Sequence, residues 1–144
     1  MKRLYLIALV IGCLLALGLA VFAYLGISTS LHAERSLHAV NLMTVVADNF
    51  VRQEKRWPNS WNELRSVKFV DAPSMYSWPH DFDAVHELVV IEFDTDIATI
   101  ASQSIERFDK ITPIGACYPY KDYGFVESLL QAAKDATAPS DTSL

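Results

Sequence analysis

The sequence predicts an α+β protein in which one long N-terminal helix crosses a membrane and then packs on a small sheet with short helices. Three observations carry this. Leu4 to Ile27, LYLIALVIGCLLALGLAVFAYLGI, is 24 residues without a charge. No glycine or proline follows from Leu31 to Arg56, so nothing stops a helix that has left the bilayer. Beyond Trp57 short strand-like and helix-like stretches alternate between Pro-, Ser- and Asp-rich breaks, the pattern of a small mixed domain.

The apolar run sets the first element. As a helix at about 1.5 Å per residue it reaches roughly 36 Å, more than the ~30 Å hydrocarbon core of a bilayer. Lys2 and Arg3 precede it, whereas Glu34 offsets Arg35 on the other side. The positive-inside bias therefore places residues 1–3 in the cytoplasm and everything after the run outside. The expected location is a bacterial-type cell membrane crossed once, with the lipid bilayer as partner through Leu4–Ile27. Two other readings of the run stand beside this signal anchor. The small residues of Gly18-Leu19-Ala20 and Val21-Phe22-Ala23 suit a signal peptidase, although cleavage there leaves an apolar mature end up to Ile27. Val10 to Cys13, VIGC, resembles a lipobox, although fourteen further apolar residues follow Cys13.

Residues 28–56 are expected to continue the same helix outside the membrane. Ala39, Val40, Met43, Val46, Ala47, Phe50 and Val51 recur at i, i+3, i+4, i+7 and share one face. Asn41, Asp48, Asn49 and Arg52 fall on the opposite face, and RQEKR puts cations at the negative end of the helix dipole. A bend near Ser28 to Ser30, making two helices, is the alternative.

RWPNSWNEL, Arg56 to Leu64, reads as a corner. Trp57 precedes Pro58, and a residue before proline is pushed out of the helical region. Ser60 with Glu63 three positions on has the spacing of a capping box, which opens a new helix reaching about Ser66. Trp57 and Trp61 are expected to fill core gaps at this corner.

The remaining elements of a 57–135 domain follow in order. VKFV from Val67 is a short strand candidate, 71–83 a loop, and Val85 to Phe93 the best strand, enriched in β-branched residues. Ile97, Ile100, Ala101, Ile105 and Phe108 recur at helical spacing behind Asp96, which can cap. KITPIGACYPY is a second strand confined to an edge by Pro113 and Pro119. Phe125, Leu129, Leu130 and Ala133 mark a last helix, and 136–144 is a polar tail without order.

Chemistry is sparsely written. A net charge of −5 and the lack of a Lys/Arg cluster outside the helix termini argue against nucleic acid. No GxSxG, P-loop or dinucleotide motif occurs, so neither an enzymatic activity nor a cofactor is expected. Cys13 lies in the membrane run and Cys117 is alone in the domain, so no disulfide staples it. The densest set of potential ligands is HDFDAVHE. There His80, Asp81, Asp83 and His86 offer imidazole and carboxylate suited to Zn, Mn or Fe(II), in a spacing that matches no strong template. A membrane-tethered metal-binding or hydrolytic domain on these residues is the alternative function, and a ligand-sensing domain a further one. Asp94 and Asp96 could offer oxygens to calcium, but capping accounts for them with fewer assumptions. Tyr118, Tyr120 and Tyr123 in CYPYKDYGF are candidates to face a protein partner.

The order of a membrane run, an unbroken continuation, and a WPxSWxEL corner before a small α/β domain resembles type IV pilins and the pseudopilins of type II secretion. Trp57, Pro58, Ser60 and Leu64 stand at the matching positions of their proline-containing turn, and the likeness covers residues 4–66. It implies a helix packed on a small sheet and a structural or assembly role among protein partners in the envelope. The Gly–Phe leader-peptidase junction and early glutamate of those families have no counterpart, since no acid precedes Glu34.

Overall fold

The structure, a computed structural model, describes residues 2–67, 82–115 and 122–138. Its spine is α1, Lys2–Glu54, 53 residues without a break and about 80 Å long. The division into two helices near Ser28 to Ser30 does not occur; α1 is unbroken there, and Thr29 Oγ1 donates back to the Leu25 carbonyl at 2.9 Å. The helix stops at Lys55, whose φ of 56° lies in the left-handed region while its N–H still bonds the Val51 carbonyl at 2.9 Å. That places the stop slightly before Trp57, and Trp57 and Pro58 then turn inward and are buried.

α2, Trp61–Arg65, opens at Ser60, but the expected capping box is only half made. The Ser60 side chain makes no cap bond. Glu63 Oε2 reaches back to accept from Asn59 N at 2.8 Å, one residue earlier than the capping box requires. Arg56 explains the shift. Its guanidinium grips both Glu63 oxygens at 2.9 Å each and draws the carboxylate toward the end of α1.

α3, Phe82–His86, overturns the expectation that a strand begins at Val85. Strand β1 is confined to Val89–Ile91 and pairs antiparallel with β2, Ile111–Pro113, in the register Val89 with Pro113 and Ile91 with Ile111. In a two-stranded sheet every strand is an edge, so Pro113 fits as expected. The connection between the strands carries α4, Ile97–Ala101, and a single 3-10 turn at Ile105–Arg107. The helical spacing from Ile97 to Phe108 thus divides into two pieces around Ser102 to Ser104. Lys110 Nζ bonds Glu92 Oε2 at 2.7 Å and closes the base of this connection. α5, Tyr123–Thr137, starts from an Asp122 cap to Gly124 N at 3.0 Å and extends into the stretch expected as tail. The VKFV strand beyond Val67, the loop through Asp81, and 139–144 lie outside the described residues.

The core forms where α5 and the sheet meet α1, and α4 backs onto α5. Met43, Val46, Val51, Leu64, Ile100, Phe108, Ile111 and Leu129 are at most 1 % exposed. One expectation fails here. Every residue from Ala39 to Ala47 is buried, including Asn41, which belongs to the face expected to be polar and solvated. Over residues 39–47 α1 is therefore covered on all sides, whereas Glu34, Arg35, His38 and residues 52–54 remain exposed.

Candidate functional site

α1 has two halves of opposite character. From Leu9 to His32 every residue is exposed, and burial begins at Ala33. Sixteen large apolar side chains between Tyr5 and Leu31 stand open, from Val10 and Leu31 at 49 % to Phe22 at 78 %. Leaving such side chains in water costs roughly 1.5–3 kcal/mol each relative to burial, tens of kcal/mol in all. An exposed apolar surface of this size favours association with an apolar partner. The apolar residues lie all round the helix, so a partner that covered them would surround it. Among the described residues α1 is the one helix long and apolar enough to cross a membrane. Cys13 is exposed on this surface.

Where the helix enters the domain, the residues that hold it are polar as well as apolar. Ser128 on α5 donates to Asp48 Oδ2 at 2.8 Å, while Arg52 Nε bonds Asp48 Oδ1 at 2.9 Å and its Nη2 reaches Ser128 Oγ at 3.1 Å. This three-residue cluster bolts α5 to α1. At the corner, Arg56 lies 5.0 Å from the Phe50 ring centre while it grips Glu63. The Glu63 carboxyl is held below the usual carboxylate range, first by the Arg56 hydrogen bond and then by the Asn59 N–H. Lys110 is raised above the usual ammonium range, chiefly by its hydrogen bond to Glu92.

Only some of the residues singled out from sequence for chemistry are described. His80 and Asp81 lie outside the described residues. Asp83 is exposed on α3, 3.9 Å from the Arg65 guanidinium. His86 sets its ring edge-on against Trp61 with centroids 4.6 Å apart, and Trp61 meets Phe93 at 5.8 Å. The sequence reading of Trp57 and Trp61 as packing residues holds for both. Among the described residues no three His, Cys, Asp or Glu side chains are grouped to hold a metal ion. Asp96 caps α4 through Ala98 N at 3.1 Å, the role expected for it. Tyr118 and Tyr120 lie outside the described residues, whereas Tyr123 is 55 % exposed in the first turn of α5.

Sequence reasoning missed the Asp48–Arg52–Ser128 cluster and the Trp61–His86–Phe93 contacts, which join residues far apart in the chain. It also missed an open groove of about 290 Å³ between the 3-10 turn and α5, lined by Gln103, Glu106, Glu127 and Lys134 among others. Comparison with family models, with curated proteins and with solved structures gave no match.

Proposed function

We propose that this is a single-pass protein of a bacterial-type cell membrane that presents a small pilin-like domain on the extracytoplasmic side, as a structural or assembly component of an envelope complex. The observation that carries the reading is the division of α1: a fully exposed apolar half joined, without a break, to a half that is the core of the domain. A bilayer satisfies the first half on all sides, and the second half then holds the domain at a fixed attitude to the membrane. Such rigid presentation suits a scaffold element better than a freely tethered enzyme. Lys2 and Arg3 before the run support an N-terminus in the cytoplasm.

The test is topological and then biochemical. The intact mass should retain the first 27 residues without an acyl group on Cys13, and protease added outside spheroplasts should remove a C-terminal tag. A mass lacking the first twenty or so residues, a lipid on Cys13, or a protected tag overturns the anchor. Extraction in mild detergent should recover the chain together with envelope proteins, and a strictly monomeric, partner-free chain overturns the assembly role.

A further inference from the structure

The two halves of α1 meet with no stalk between them. Ala33, the first buried residue, is six positions past Ile27, about 9 Å along the helix axis. The polar layer of a bilayer leaflet is itself about 5–7 Å thick beyond the hydrocarbon. Helical side chains also lean toward the N-terminus, so His32 points back toward the bilayer. Gly115 lies against this residue, because a β-carbon there would come within 3.4 Å of His32 Nε2. Its φ of +80° is a conformation glycine adopts without strain, and it turns the chain immediately after β2 at this level. Ile114, the residue before it, is 42 % exposed, and Leu31, beside His32, is 49 % exposed. The exposed apolar surface of α1 therefore continues through Leu31 and His32 onto the Ile114–Gly115 end of the sheet.

Resting on the membrane-spanning reading, we infer that the Ile114–Gly115 end of the domain docks on the lipid headgroup layer, with Ile114 inserted as an interfacial anchor. Lipid is the occupant because the surface is continuous with the span and lies within the thickness of the polar layer. Glu34 and Arg35 follow His32 in the chain, and the exposed Glu87 precedes Leu88, whose carbonyl accepts from Ile114 N at 2.8 Å, so the surface carries no excess of positive charge that would call for anionic headgroups. Docking at this second point removes the swing that a single helix would otherwise permit.

The experiment uses the full chain with Cys13→Ala and Cys117→Ala in phosphatidylcholine nanodiscs, carrying a polarity-sensitive fluorophore on one introduced cysteine. I114C tests the docking, L17C reports the span, and E54C, about 40 Å past Ile27 along α1, is the distant control. Ile114, Leu17 and Glu54 are all exposed, so the label displaces no core side chain. Nitroxide on the lipid headgroups should quench the I114C label about twofold or more and leave the E54C label unchanged, as an interfacial side chain requires. Acyl-chain nitroxide should quench L17C. An I114C label no more quenched than E54C, with L17C still quenched, overturns the docking and leaves the span standing. An L17C label unquenched by acyl-chain nitroxide overturns the span and the docking together.

Discussion

Trp57 Nε1 donates a 2.8 Å hydrogen bond to the carbonyl of Glu92, tying the corner after α1 to the end of β1. The two residues are 35 positions apart, and Trp57 is only 3 % exposed. The indole thus does two jobs: its ring fills the space under the corner and its N–H fixes where β1 ends. Trp57→Phe keeps most of the ring and removes the bond. Glu92 O is not orphaned, since Thr95 Oγ1 also donates to it at 3.2 Å. The expected loss is about 2 kcal/mol, part hydrogen bond and part unfilled volume, read from urea unfolding in detergent by near-ultraviolet circular dichroism. An unchanged midpoint would show that the corner is not part of the cooperative core.

The Arg56–Glu63 contact makes a pH prediction of definite sign. Glu63 has a lowered pKa in the folded state, so its contribution is present above its unfolded pKa and is lost as pH falls through the folded one. The wild type should be more stable than Glu63→Gln at neutral pH. The gap should close as the solution is acidified from the ordinary glutamate pKa of about 4.3 down through the lower one of the folded state. Thermal midpoints of both proteins across this range decide it; a gap independent of pH removes the ionic contribution.

At Lys55 the chain stops α1 with a side chain in a conformation that suits glycine. A residue with a β-carbon pays about 1 kcal/mol or more in the left-handed region. Lys55→Gly should therefore stabilise the fold by roughly 0.5–1 kcal/mol, less than the full relief because glycine also frees the unfolded chain. A measured destabilisation would mean that the Lys55 side chain makes a contact worth more than its strain.

These residues also show what was legible in the sequence. The uncharged run and the absence of Gly and Pro to Arg56 were enough to foresee a single long helix, and Trp57-Pro58 fixed its end to within a few residues. The stop itself falls on a lysine, whose composition carries no signal for a left-handed backbone. Asn41 looked solvated because periodicity assigns a face but not what packs on it. Val85 looked like strand because β-branched residues also sit in short helices when tertiary contacts favour them. Trp61 and His86 meet only in three dimensions, so their pairing has no local signature. Of the four candidate metal ligands Asp83 and His86 are described, and their contacts with Arg65 and Trp61 join residues that are not neighbours in sequence.

Ser36 offers a stabilising substitution. Its side chain is fully buried on α1 and its hydroxyl has no hydrogen-bond partner. A buried hydroxyl without a partner costs about 1–3 kcal/mol, and alanine is also the better helix former. Ser36→Ala should raise the urea midpoint, by an amount corresponding to about 1 kcal/mol after the small volume lost is deducted. A lower midpoint would indicate that the hydroxyl is satisfied in solution by bound water.

The last prediction concerns the continuity of α1. Leu31→Pro would remove the N–H that bonds the Ile27 carbonyl, clash with the preceding turn and push Ser30 out of the helical region. The break falls between the membrane half and the domain half, two residues before the first buried side chain at Ala33. No core contact is lost, so the domain's urea midpoint should stay within about 0.5 kcal/mol of wild type. What should change is the attitude of the domain. A fluorophore attached rigidly through E54C, in the full chain lacking its two native cysteines, should show slow, restricted depolarisation in wild-type nanodiscs and faster, wider motion in the L31P chain. If both report the same motion, the unbroken helix does not fix the domain to the bilayer. If the domain unfolds instead, the two halves of α1 share one cooperative unit, and the separation at Ala33 is not an energetic boundary.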